Sequence, residues 1–134
     1  MAGRAGVAAA VSNFTSPLLL EYIDGRRWRL LAGFSYSTAI GGDKEIHVPE
    51  GFETDFASIP RGLWNVLPPT GSYGKAAVIH DFLYRRMWGT SRADADRIFL
   101  EGMEVLGVNW LTRRAIYRAV RLFGGSAYRK GQGK

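Results

Sequence analysis

The chain contains no cysteine. That excludes a disulfide framework, a thiolate zinc site, an iron–sulfur cluster and a cysteine nucleophile. No run approaches the ~20 consecutive apolar residues that a membrane-spanning helix requires. No Gly-x-Ser-x-Gly occurs, so the nucleophile elbow of serine hydrolases is missing too. No internal repeat is present. Histidine is scarce: His47 and His80 are the two in the chain, so imidazole chemistry has few places to reside. The last shortage is of acid. Residues 113–134 carry seven Lys and Arg and no Asp or Glu, while the first 112 residues carry one net negative charge. The net charge of +6 therefore belongs to one segment. Such a segment attracts nucleic acid, anionic lipid or an acidic protein partner, and charge alone does not choose among them.

What is present is the material of one globular domain. The length of 134 residues is close to the commonest domain size. With 4 Trp, 6 Tyr and 7 Phe the chain has bulky apolar surface enough to offset its conformational entropy. The Ala-rich stretch Val7 to Val11 imitates a signal peptide only faintly, being short and without a clear cleavage site. The expected organisation is a flexible or docking arm over 1–17, a single domain over 18–124 and a basic flexible tail over 125–134.

The N-terminal third reads as β. Leu18 to Ile23 and Arg26 to Leu31 flank Asp24-Gly25, a strong hairpin signal. Phe34 to Thr38 extends the second strand, Ile46 and Val48 alternate within Lys44 to Val48, and Pro49-Glu50-Gly51 turns the chain into Phe52 to Asp55. From Ser58 the period changes to helical. A short helix is expected through Leu63 to Leu67, and a central one from Lys75 to Trp88 with Ala76, Ile79, His80, Leu83, Tyr84 and Met87 at helical spacing. Ser91 caps a further helix running to Gly107, and Asn109 a last, cationic one to about Phe123. The fold class is α+β: a β hairpin and meander, then three to four helices, the two central ones packed antiparallel.

Chemistry concentrates on the central helices. His80 and Tyr84 share a face one turn apart, with Asp81 turned about 100° away. A histidine among apolar residues suits a general base if a carboxylate holds its second nitrogen, and equally suits a core histidine bonded to a carbonyl. Asp96 shares a face with Phe99, Leu100 and Met103, where an unpaired carboxylate is costly. Antiparallel packing brings it to His80 as a buried dyad, unless Arg85 or Arg97 takes it instead. Asp94 is read as part of the Ser91 cap. Asp55 and Ser58 fit a strand end passing into a helix cap; alternatively His47, Asp55, His80 and Asp81 supply nitrogen and oxygen ligands for a divalent metal. On the final helix Arg113, Arg114, Arg118 and Arg121 form a basic surface beside Trp110, Ile116, Tyr117, Val120 and Phe123, able to lie on an anionic membrane or, less fittingly, a nucleic acid, or simply to pack one face and solvate the other.

Two resemblances add to this. His80-Asp81-x-x-Tyr84 followed by Ala95-Asp96-x-x-Phe99 resembles the catalytic core of phospholipase A2 enzymes, especially the compact viral-capsid type. The resemblance implies His80 as the base that activates water, Asp96 as its orienting partner, Tyr84 in support and Asp81 as a calcium ligand. It spans about 25 residues, and the glycine-rich loop that supplies carbonyls to calcium in those enzymes is replaced here by Pro68-Pro69-Thr70-Gly71-Ser72-Tyr73-Gly74. The second covers more. Thr54-Asp55-Phe56-Ala57-Ser58-Ile59-Pro60-Arg61, then His80-Asp81-Phe82-Leu83-Tyr84, then Ser91-Arg92-Ala93-Asp94-Ala95-Asp96 resembles, over roughly residues 44–124, a domain-of-unknown-function family of tailed bacteriophages and prophages. It implies a phage origin, virion or tail proteins as partners, a role in the particle or in lysis, and a location in the virion or host cytoplasm. Two functions follow as expectations: a phospholipase A2-like hydrolase using His80 and Asp96, with calcium as its cation, or a non-catalytic virion or tail protein in which the same pair stabilises the fold.

Overall fold

A computed structural model describes residues 13–14, 17–24, 27–56, 59, 73–86 and 90–133. Strands β1 (Asn13–Phe14), β2 (Leu20–Asp24), β3 (Arg27–Leu30), β4 (Phe34–Thr38), β5 (Lys44–Val48) and β6 (Glu53–Thr54) precede helices α1 (Gly74–Arg86), α2 (Arg92–Val105), α3 (Trp110–Phe123) and α4 (Gly125–Gly133). This is the expected α+β order. The short helix expected after Ser58 lies outside the described residues.

The strands form two antiparallel three-stranded sheets, β1-β4-β5 and β2-β3-β6. Strands β2 and β3 pair antiparallel, with Tyr22 opposite Trp28 and a bulge between Tyr22 and Asp24. Phe34 to Thr38 does not extend that second strand, as the sequence reading had it. The chain bends at Leu31–Ala32, and β4 enters the other sheet to pair with β5, Tyr36 opposite Ile46. The alternation in β5 buries Ile46 and Val48 and leaves Glu45 and His47 outward. Gly51, at φ +88°, then turns the chain back so that the Leu30 N–H donates to the Phe52 carbonyl and β6 pairs with β3.

Helix α1 is the centre of the molecule. Ala76 through Tyr84 are buried without a break, so the helix is covered on every side rather than along one stripe. Sheet residues Leu30, Phe34, Tyr36 and Val48 share its core with Ile98, Phe99 and Met103 of α2 and Ile116 and Val120 of α3. Phe82 meets Phe52 edge-on at 5.3 Å. Helices α1 and α2 run antiparallel: Gly102 lies against Ala76 near the start of α1, while Asp96 meets Tyr84 near its end. A Cβ at Gly102 would stand 3.1 Å from that of Ala76, which is why the helices approach so closely there.

Both chain ends add cover to the core. Phe14, in the segment expected as a flexible or docking arm, pairs in β1 with Tyr36, ring centroids 4.4 Å apart. Gly125–Gly133, expected as a flexible tail, is helical, and Tyr128 packs edge-on against Tyr84 at 5.2 Å. The cause is shared: an α1 apolar all round needs more cover than α2 and the sheets supply. Among the described residues no helix is long and apolar enough to cross a membrane.

Candidate functional site

The buried length of α1 carries two polar side chains, His80 and Asp81, and a polar group without water must find a partner. They turn to opposite neighbours. His80 faces α2, where its Nε2 lies 2.6 Å from Oδ1 of Asp96. A carboxylate only accepts, so Nε2 carries the hydrogen of this bond. Tyr84, one turn on, donates its hydroxyl to the same oxygen at 2.6 Å. The second oxygen, Oδ2, accepts from Nη1 of Arg121 on α3 at 2.6 Å. Three helices thus converge on one carboxylate.

The electrostatics follow. Burial by itself would raise the Asp96 carboxyl, but the hydrogen bond and charge of His80, followed by Tyr84 and Arg121, hold it below the usual carboxylate range. Burial, together with the bond to Asp96, pushes the Tyr84 phenol up, so it remains a protonated donor. Arg121 is held charged first by its hydrogen bond to Asp96. The side chains of His80 and Asp96 have no solvent exposure. Phe99 stacks on the imidazole with centroids 4.6 Å apart, and the Tyr84 ring lies at 4.2 Å.

Asp81 faces β6. Thr54 donates its hydroxyl to Asp81 Oδ2 at 2.6 Å, and Arg85, one turn along α1, stands 3.2 Å from the same atom. Arg85 also bonds Asp55 at 3.0 Å and the carbonyl of Glu53. The cation between Asp55 and Asp81 is therefore a guanidinium, in the place the sequence reading gave to a metal ion. His47 does not join them; its Nδ1 is 2.8 Å from the Ser35 hydroxyl in the other sheet. Among the described residues no group of three or more His, Cys, Asp or Glu is arranged to hold a metal ion. Ser58 lies outside the described residues. The corner is tight: Phe56 holds φ +54°, a conformation rare for a large side chain, pinned by full burial and by a bond from its N–H to Thr54 Oγ1.

Burial raises the Asp81 carboxyl, with Arg85 and then Thr54 opposing. Charge at this position is a cost to the fold, and an amide oxygen can accept from Thr54 equally well. Asp81→Asn is therefore expected to change stability by less than about 1 kcal/mol at neutral pH. Thermal denaturation checks this; a loss several times larger would mean that the charge itself is required.

The other sequence-assigned residues divide. Ser91 accepts from the Asp94 N–H as the cap expected, but the Asp94 side chain goes to Arg97 at 2.6 Å. Neither Arg85 nor Arg97 takes Asp96. Of the four arginines assigned to a basic surface, Arg114 and Arg118 are exposed; Arg113 bonds the Val108 carbonyl, and Arg121 reaches inward to Asp96. Sequence reasoning missed Arg121 as a member of this cluster. It also missed Glu101, which accepts from Tyr36, Thr38 and the Ala39 N–H and ties α2 to β4.

Comparison with known proteins agrees with a family of unassigned function. Residues 28–120 match the family described as "Protein of unknown function (DUF1353)", a stretch that begins earlier than the resemblance in the sequence. The "Uncharacterized protein y4jT" of Sinorhizobium fredii (strain NBRC 101917 / NGR234) is 39% identical over 79 residues, covering 58% of this chain and 23% of that protein. The chain thus matches less than a quarter of the relative's length. No solved structure matches. With β4 to β6, the His80–Asp96 pair and all but the last turn of α3 inside the matched stretch, the chain belongs to the DUF1353 family of proteins of unknown function.

Proposed function

We propose that this chain is a non-catalytic docking domain of phage or prophage origin, acting in the particle or the host cytoplasm, in which the His80–Asp96 pair ties helices together. One observation carries the proposal: both oxygens of Asp96 are occupied by three side chains from the two neighbouring helices, and neither member of the pair reaches solvent. A general base must deliver its proton to and from a substrate within hydrogen-bond reach. An imidazole stacked on Phe99 and without solvent exposure has no such approach. The phage origin rests on the ordered motifs from Thr54 to Asp96, and virion or tail proteins are the partners that origin implies.

The phospholipase A2-like reading has the 2.6 Å His80–Asp96 bond in its favour, with Tyr84 on the same carboxylate. Geometry of a dyad serves structure as readily as catalysis, so turnover separates the two. Mixed phospholipid micelles incubated with the protein, in calcium and in chelator, should release no fatty acid. The melting temperature should be the same in both, and His80→Ala should lower it by roughly 10 °C or more. Calcium-dependent release abolished by His80→Ala in a folded protein would replace the docking reading with the hydrolase.

A further inference from the structure

Helix α3 spends only part of its surface on the core. Ile116 and Val120 point inward, while Leu111 and Leu122 are 71% and 74% exposed. These two leucines lie about three turns apart and so stand in line on one face, with Ala115 between them. Along one edge of the line run Arg114 and Arg118, both exposed, and Trp110 closes its N-terminal end at 60% exposure. The Arg114 guanidinium stands 6.0 Å from the Trp110 ring centroid. Trp110, Leu111, Arg114, Ala115 and Arg118 line an open groove of about 450 Å³. The chain from Trp110 onward contains no acid.

We infer that this outward face of α3 lies on an anionic lipid bilayer surface, Leu111, Ala115 and Leu122 entering the headgroup boundary and Arg114 and Arg118 reaching the lipid phosphates. The inference rests on the docking reading above and adds a lipid surface to the protein partners that its origin implies. Leucines at this exposure gain by leaving water, which a nucleic acid backbone does not offer them. A straight apolar line edged by guanidiniums and ended by an indole has the anatomy of a helix lying in the interface plane. Arginine stems can lie on that apolar surface while their heads stay in the polar layer. Glu101 and Glu104 of α2 line a neighbouring pocket that Arg114 borders, but Glu101 accepts from β4 and Glu104 stands 3.9 Å from Arg113, and neither lines the groove along Leu111.

The test is co-sedimentation with phosphatidylcholine vesicles prepared with and without phosphatidylglycerol, with fatty-acid release measured in the same samples. Wild type should partition onto the anionic vesicles at least about tenfold more strongly than onto neutral ones, and less as salt rises. The double variant Leu111→Asp, Leu122→Asp should lose at least about tenfold of that partition, because two apolar insertions become charges. Both positions are exposed, so its melting temperature should match wild type. Charge reversal by Arg114→Glu with Arg118→Glu should lose a similar factor. Failure to partition onto anionic vesicles overturns the inference. So does partition that ignores Leu111 and Leu122 and is matched by duplex DNA, which makes nucleic acid the occupant. Self-association without vesicles, lost in the leucine variant, overturns it in favour of a second copy. Fatty-acid release would sink the docking reading by itself, whatever the vesicles bind.

Discussion

Asp96→Ala is expected to lower the stability of this protein by about 3–5 kcal/mol, the range for leaving buried charged and polar partners without their acceptor. Three donors lose one acceptor group at once. Arg121 can swing into water, since its side chain is 36% exposed, so most of the loss falls on His80 and Tyr84, which cannot. For a domain of this size the change corresponds to a drop in melting temperature of roughly 10–20 °C. Asp96→Asn keeps one accepting oxygen but sets an amide N–H₂ against one of the donors, and should lose less. The acid limb carries a second signature. The folded-state carboxyl lies below its ordinary value, so its stabilisation is present above the unfolded pKa and is lost as pH falls through the folded one. The difference in stability between wild type and Asp96→Asn should hold constant above about pH 5 and shrink below about pH 4. Asp81 has the opposite sign: raised by burial, it favours the fold below the ordinary carboxylate pKa and less as pH rises through its own. Denaturation of both variants across the acid range checks this, and an Asp96→Ala loss under about 1 kcal/mol would remove the carboxylate from its central place.

The His80–Asp96 meeting was legible in the sequence because it depends on one periodicity. Helical spacing puts His80 and Tyr84 on one face and Asp96 on the apolar border of the next helix, and a short connection leaves those helices little choice but antiparallel packing. The third partner was not legible for a physical reason. Arg121 sits among other arginines on a cationic helix, and composition gives no sign that one of them reaches inward. A signal existed for Arg85, since Asp81 and Arg85 stand at i and i+4 in the acid-first orientation that favours pairing. The same spacing argued against a metal, because a guanidinium already supplies the positive charge between Asp81 and Asp55. In the fold, local signals were sound: the pairing of β2 with β3, the Ser91 and Asn109 caps and the alternation of β5 all fall where the residues put them. What was not legible was sheet membership and the way the chain ends pack. Nothing local in Phe34 to Thr38 says which of two sheets it joins, and nothing local in Phe14 or Tyr128 says that α1 needs covering from both sides.

Phe99→Ala tests whether His80 is enclosed or merely screened, and a loss of about 3–5 kcal/mol is expected. The Phe99 ring is fully buried, stacked at 24° on the imidazole, with Tyr73 6.3 Å away on another side. Removing it leaves a ring-sized void bordered by His80 and Tyr73, and a close-packed core relaxes into such a void only in part. Phe99→Leu, which fills much of the volume, should cost less than half as much. The void also changes the chemistry of its wall. In wild type the Nε2 hydrogen that bridges His80 to Asp96 should exchange slowly with solvent, as befits a bond that opens only with the fold. In Phe99→Ala water can enter beside the imidazole, and that exchange should accelerate well beyond what lowered global stability alone produces. Urea unfolding gives the first quantity and the ring N–H resonance in proton NMR the second. A catalytic histidine facing a pre-existing pocket predicts the reverse pair of results: a Phe99→Ala cost below about 1.5 kcal/mol, since one side of the ring would already be open, and fast exchange in wild type. The two outcomes do not overlap, so a single packing variant separates a helix tie from a buried base.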